Sequence, residues 1–598
     1  MKNIVKITIE SYLIMIALTR TLPEIISIQS FESTIDYMTA LIYSILGEYK
    51  LTDVFIFVAI YLLLYKIKQD INRSYRVTAL LFSSILVVGE SIDAIGTFEL
   101  IVGSPSNIII ASSKFLGFYF LFQYLIQIMM KYMKQLKVDR TAVEYLNPCM
   151  KWFDEKCWQK VFFILISFWG ILLIINYPGN LCWDVIGQIE QVIFNTGYSS
   201  HHPLFHTLLV GGCIELGNLF LNSYEIGLFI YMILQISFFA SSLAFTIYYL
   251  NKKKLNQFII LSVLLVYLIA PIYSNLATTA IKDIPFISSF IFFFVYFVDY
   301  YGSKEEKILK NHVIYLSVFS ILTCLFRNNG LYMIVLTYII YLIIAIVKRN
   351  RLVFINTAKL CAILVVSYCV IQTILVTALG ATAGSSREIF SLPFQLTARY
   401  LQLYHEEITV DEEIIIENIL GDIDAVRGAY NPEIADPVKN LYLDDSVTTI
   451  DLVKYLQVFV TQFFKHPRVY IEGFLIHVNG WFNPSISNSI RYEVEYDIIN
   501  TQGIVSGTSK IVLFFYRFLE RITPIALLET PGFYTWLLVL VTVFKRESKQ
   551  DIIILLPQWI GLFICMISPC FLLHPRYALP IMFTMPFIIG YSLCLRKE

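Results

Sequence analysis

The chain alternates long apolar runs with short polar breaks. A run of about 20 apolar residues is long enough to cross a bilayer, and such runs occupy 4–20, 51–66, 75–91, 106–130, 160–177, 225–249, 257–275, 284–301, 312–326, 331–347, 354–377, 531–544, 552–572 and 577–594. The pattern predicts an all-α multi-pass membrane protein with about fourteen spans. Lysine and arginine in short loops mark the cytoplasmic side. They cluster at Lys66, Lys68, Arg73 and Arg76, in 131–160, at Lys252, Lys253 and Lys254, in 304–310, at Lys348, Arg349 and Arg351, and in 545–549. Nearly all of these clusters then fall on one side, with both termini cytoplasmic. That sidedness requires 203–221 and 510–527 to lie along the interface rather than cross, because a crossing at 203–221 would turn Lys252 to Lys254 outward.

Polar motifs gather on the other face. The spans divide the chain into N-terminal helices over 1–150, a core over 151–377 with a first outward loop at 178–224, an extracytoplasmic region over 378–530, and C-terminal helices over 531–598. In the extracytoplasmic region, HEEITVDEEIIIENILGDIDA sets apolar residues between carboxylates, as in a surface helix with one buried side. Thr448 with Asp451 predicts a capped helix through Leu452 to Phe464, and Pro467 suits the first turn of the next, running through Trp481. No internal repeat and no low-complexity linker interrupts the order.

Composition sharpens the membrane reading. Hydrophobic residues make up 57% of the 598 positions and charged residues 15%, against about 25% charged in soluble domains. Mean hydropathy is +0.67. The formal net charge of zero indicates no nucleic-acid-binding face. The ten cysteines are scattered without a CxxC pair, which argues against a zinc site or a disulfide framework. Lys2 and Lys6 precede a moderately apolar stretch with no evident cleavage site, and Arg20 follows, so the first helix is expected to be retained.

One stretch, 177–206, is polar enough to stand out: YPGNLCWDVIGQIEQVIFNTGYSSHHPLFH. Pro178 and Gly179 break the helix there. Asp184 suits a general base, with burial under Trp183 and Val185 raising its pKa, or the N-cap of a helix whose later turns include Gln188 and Gln191, two compatible readings. Gln188 is taken with it as a substrate-binding residue. His201 and His202 precede Pro203 and so lie on extended backbone, where neighbouring side chains point opposite ways. One of them is a ligand for metal or phosphate, or it caps the 203–221 helix. Lys282 binds phosphate or pairs with Asp283, and Arg327 in FRNNG is a phosphate ligand or a helix-end anchor. Arg387, Gln395 and Arg399 in SSREIFSLPFQLTARY suit phosphate recognition or neutralise the acidic helix that follows. His574 and Arg576 in HPRYALP stand at the start of the last predicted span. No nucleotide-binding loop, GxSxG elbow or HExxH is present.

In order, YPGNLCWDVIGQ, SSHHPLFHTLL, IKD, FRNNGLY, SLPFQLTARY, HVNGWFNP and HPRYALP resemble a bacterial multi-pass family of unknown function placed near the GT-C glycosyltransferases. The resemblance covers roughly 50–595. It implies a GT-C-like bundle, a cell-membrane location, and inverting transfer of a sugar from a polyprenyl-phosphate donor to a glycan, lipid or protein acceptor. Asp184 matches the loop carboxylate of that fold and would be the base. Arg387, Arg399, Lys282 or Arg576 would meet the leaving phosphate. A divalent ion, Mg²⁺ or Mn²⁺, would sit on Asp184 and His202. About four spans precede the loop here, whereas in many GT-C enzymes it follows the first. A transporter or flippase of lipid-linked glycans, or a polymerase with a diphosphate donor, is the competing expectation.

Overall fold

The computed structural model describes residues 2–22, 33–46, 50–67, 70–138, 155–302, 310–444, 446–486, 496–497, 505–506, 509–568 and 575–594. The described residues are overwhelmingly α-helical; their only strands are four of two residues each. They form two compact units. One gathers 1–136 with 387–483 and 568–572, and the other holds 137–386, 484–567 and 573–598.

Among the described residues eight helices are long and apolar enough to cross a membrane: Arg73–Ile95, Pro105–Leu136, Cys157–Ile175, Leu204–Leu221, Tyr224–Lys252, Asp283–Gly302, Asn328–Val347 and Arg351–Leu379. A ninth is reached if Gln257–Ile269 and Pro271–Ala277, bent by 56° at Ala270, count as one span. The number is below the fourteen expected for a simple reason. Several apolar runs are helices of 15 to 17 residues, among them Leu51–Lys66, Lys310–Phe326, Pro531–Glu547 and Leu579–Leu593. At 1.5 Å per residue their described lengths come to about 23 to 26 Å, below the roughly 20 residues usual for a span.

Leu204–Leu221 has the length and hydropathy of a span, whereas the expectation that it lies along the interface rested on the sidedness of Lys252 to Lys254 rather than on the helix itself. It forms a hairpin with Tyr224–Lys252, turned by Asn222 in the left-handed region at φ 50° and capped by Ser223, whose hydroxyl accepts from Ile226 N at 3.3 Å. Gly217 and Gly227 let the two backbones touch: a Cβ on Gly217 would stand 2.3 Å from Gly227 N. By contrast, 510–527 breaks into Lys510–Glu520 and Thr523–Leu527, neither long enough to cross.

In the other unit the two local expectations hold. Thr448 and Asp451 form a reciprocal capping box on Thr449–Lys465, and Pro467 opens Pro467–Phe482. The acidic stretch is the helix Val410–Leu420, burying Ile416, Ile419 and Leu420. Pro467–Phe482 packs along Arg73–Ile95 because Gly89 has no side chain: a Cβ there would meet Asn483 Nδ2 at 2.6 Å, and Asn479 Nδ2 donates to Gly89 O at 3.2 Å.

Candidate active site

In the unit that contains residues 178–224, the chain leaves the Cys157–Ile175 helix and makes a two-residue strand, Asn180–Leu181. This strand pairs in parallel with Thr279–Ala280, Asn180 opposite Thr279 and Leu181 opposite Ala280. Gly179, at φ 127°, is required at the turn because a Cβ would also meet Met232 Cγ at 2.7 Å. The ladder ends with Asn180 N donating to Thr278 O and Cys182 N to Ala280 O, at 2.9 and 3.3 Å. Past the two strands both strands give way to helices, Trp183–Ile193 and Asp283–Gly302. The first turn of one carries Asp184, and Lys282 stands immediately before the other. Two parallel strands therefore bring together residues 98 positions apart.

Lys282 Nζ lies 3.0 Å from Asp184 Oδ2 and 2.9 Å from His202 Nδ1. Arg576 NH1 donates to the same Asp184 Oδ2 at 3.0 Å. The side chains of Lys282, Asp184 and Arg576 are 12%, 21% and 13% exposed, so the cluster is sheltered yet reachable. Cys182, not Asp184, occupies the N-cap, which removes the capping reading of the acid. His202 is carried by a loop tied to 380–384, with Ser200 N donating to Thr382 O at 2.9 Å and Gly384 N to Ser200 Oγ at 3.0 Å.

The electrostatics reverse one expectation. Burial by itself raises the Asp184 pKa, but Lys282, then Arg576 and His202, outweigh it and hold the carboxyl well below the usual carboxylate range. Asp184 at rest is therefore a weak base, not one tuned upward. Burial, with Lys282 next, lowers His202 to about 3. The neutral ring accepts at Nδ1 from the lysine ammonium. Because its folded pKa lies below the unfolded value of about 6.5, the arrangement is at full strength above that value and weakens only as pH falls toward 3. His202 is accordingly expected to show no ionisation step between pH 5 and 8, checked by following the histidine ring signals against pH by NMR in the intact protein and its His202→Gln variant. A step near pH 6.5 lost in that variant would contradict the assignment.

Lys282 and Asp283 do not pair with each other. Asp283 is fully buried and forms an ion pair with Arg327, the residue preceding Asn328–Val347. Arg327 also donates to Arg576 O at 3.3 Å and lies over the Tyr577 ring, 4.5 Å from its centroid. The pair thus holds the backbone that presents Arg576. With Asp283 and Arg327 cancelling and His202 neutral, the formal charge of the cluster is that of Lys282 and Arg576 less Asp184, a surplus of one positive charge.

Gln188, one turn beyond Asp184, has both amide atoms engaged. Nε2 donates to Thr207 Oγ1 at 2.8 Å, and Oε1 faces His206 Nδ1 at 2.8 Å. His206 Nε2 is 2.7 Å from Tyr231 OH, which is 3.0 Å from Gln235 Oε1. Gln235 Nε2 donates to Thr279 O at 2.7 Å, and its Oε1 accepts from Ile281 N at 3.2 Å. Sequence reasoning missed His206, Tyr231 and Gln235. The signal was three polar residues, His206 at the start of one apolar helix and Tyr231 and Gln235 one turn apart on the next.

The other expected residues separate. The rings of His201 and His202 lie 4.6 Å apart instead of pointing opposite ways. Arg387, Gln395 and Arg399 belong to the other unit. There Arg387 lies 3.7 Å from Glu388, Gln395 donates to Asn431 O, and Arg399 is buried against Glu472 and Gly96 O at 3.4 and 2.8 Å. His574 falls outside the described residues. Asp184 and His202, expected to share a metal ion, both face Lys282, and among the described residues no group of three or more His, Cys, Asp or Glu is placed to hold one. A carboxylate already carrying two cations is a poor metal ligand.

The chain belongs to a family of unknown function, DUF6020, which it matches over residues 193–596. The matched range holds Lys282, Asp283, Arg327 and Arg576, while Asp184 lies just before it. No curated protein and no solved structure matches.

Proposed function

We propose that this DUF6020 member is a GT-C-like glycosyltransferase that moves a sugar from a polyprenyl-phosphate donor to a cell-envelope acceptor with inversion. The observation that carries the reading is the surplus positive charge where Lys282 and Arg576 converge on Asp184. A sheltered cation pair beside membrane-length helices suits a lipid-linked phosphate: Arg576 offers planar N–H donors and Lys282 a point charge.

At rest Asp184 neutralises one of the two cations. An entering donor phosphate competes for both, and as they turn to it the restraint holding the carboxyl pKa down is relieved. Asp184 then takes the proton of an acceptor hydroxyl. That oxygen bonds the anomeric carbon as the bond from this carbon to the phosphate oxygen breaks, and the electron pair leaves on the phosphate. Lys282 and Arg576 stabilise the charge growing there. His202, neutral, keeps Lys282 oriented without adding charge.

The test uses membranes containing the full chain, a polyprenyl-phosphate sugar labelled in the sugar, and envelope lipid and glycan acceptors. Label is expected to enter a glycosyl product with release of polyprenyl phosphate, and Lys282→Ala is expected to lower the rate at least a hundredfold, the scale of a lost transition-state charge contact. Movement of lipid-linked glycan across the membrane without a glycosyl product would replace the reading with transport. Release of a polyprenyl diphosphate would replace the monophosphate donor.

A further inference from the structure

We infer that Gln188, His206, Tyr231 and Gln235 form a positioning chain that sets Asp184 against Lys282 by gripping the two arms on which they are carried. Its ends identify the role. Gln188 belongs to the Trp183–Ile193 helix one turn past Asp184, and Gln235 holds Thr279 O and Ile281 N, the backbone leading into Lys282. His206 and Tyr231 connect them across the Leu204–Leu221 and Tyr224–Lys252 hairpin.

The hydrogen-bond orientations follow from the backbone. Gln235 Nε2 faces the carbonyls of Thr279, Leu276 and Ala277, at 2.7, 3.4 and 3.4 Å, so Oε1 is the atom toward Tyr231. Gln188 Nε2 faces Thr207 Oγ1 and Pro203 O, at 2.8 and 3.4 Å, so its Oε1 is toward His206. Both ends therefore present acceptors, and His206 must carry its proton on Nδ1 to satisfy Gln188. The neutral ring then accepts at Nε2, and the single Tyr231 O–H is shared between His206 Nε2 and Gln235 Oε1. The Tyr231 hydroxyl is the joint of the chain. Without it a buried ring nitrogen loses its donor, and the Gln188 and Gln235 ends are uncoupled.

Polar groups inside an apolar hairpin also serve simply to hold helices together. That role would loosen the hairpin alone, whereas a positioning chain would loosen both arms. The distinguishing reporters are the amides of Asn180 and Cys182, which bond across the strand pair to Thr278 O and Ala280 O. Hydrogen exchange by mass spectrometry on the full chain in detergent would follow peptides over 180–190 and 276–284.

Tyr231→Phe is expected to speed exchange about tenfold in both peptides, as a local opening that has lost a buried hydrogen-bonded joint. Ser242→Ala, on the same helix with its hydroxyl bonded only to Phe239 O within the described residues, is expected to leave both unchanged. Should Tyr231→Phe not fold, Thr207→Val removes the hydroxyl that accepts from Gln188 Nε2 and donates to Pro203 O, and is expected to raise exchange about threefold in both. Exchange unchanged in either arm, or raised only around residue 231, overturns the chain. The kinetic consequence rests on the glycosyltransferase reading: Tyr231→Phe would lower kcat at least tenfold with KM little changed. Absence of transfer by the intact protein would overturn that reading while leaving the exchange result to decide the chain.

Discussion

Asp184→Asn is expected to slow sugar transfer by about 10²- to 10⁴-fold, the scale of a lost general base, while binding polyprenyl phosphate more tightly. The second half of that result separates the arrangement seen here from an ordinary base. In the proposed reaction Asp184 competes with an incoming phosphate for Lys282 and Arg576, both 3.0 Å from the same oxygen. An uncharged amide gives up that competition and raises the formal surplus from one positive charge to two. Affinity for a polyprenyl phosphate, titrated on the intact protein at fixed ionic strength, is expected to rise about tenfold. Unchanged transfer would remove the base assignment. Weaker binding would mean that the carboxylate orients the cations for phosphate rather than withholding them from it.

The sequence made individual side chains legible but not their partners. Asp184, Lys282, Arg327 and Arg576 stand out as ionisable groups beside apolar runs, which is costly without a reason. That Asp184 meets Lys282 depends on a parallel pair of two-residue strands, too short for any alternation of polar and apolar positions to announce. Lys282 and Asp283 illustrate the point. Adjacent opposite charges invite pairing, yet the start of a helix at Asp283 sends the two side chains to different partners, Asp184 and Arg327. The direction of the Asp184 pKa went the same way: Val185 is buried, but Trp183, expected to cover the acid, is exposed, and the two cations that outweigh burial arrive from distant segments.

Local helix chemistry was easier to read, because it involves residues within one turn. The Thr448 and Asp451 box and Pro467 are in place. Spans were harder for the opposite reason: hydropathy locates an apolar helix but does not separate 17 residues from 20, and that difference accounts for most of the gap between fourteen and eight or nine. Arg399 shows the same limit on the chemical side. Its guanidinium looked available for phosphate, but Glu472, which it meets at 3.4 Å, is 73 residues further along.

Breaking the Asp283 and Arg327 pair is expected to have the largest effect on stability. Arg327→Ala leaves the fully buried Asp283 without its counter-ion, and removing one partner of a buried pair costs about 3–5 kcal/mol. Asp283→Leu is expected to cost a similar amount by stranding the arginine. The double variant Asp283→Leu with Arg327→Met should recover most of the loss, because no charge is left unpaired and the volumes are roughly kept. Thermal unfolding of the full chain in detergent measures all three, and additive single effects would show that the two residues stabilise independently. Function separates from stability in the double variant. Arg327 also holds Arg576 O at 3.3 Å and covers Tyr577, so a variant that regains stability still presents Arg576 from a looser backbone. Its affinity for polyprenyl phosphate is expected to stay at least tenfold below that of the intact chain; full recovery would confine the pair to holding the fold.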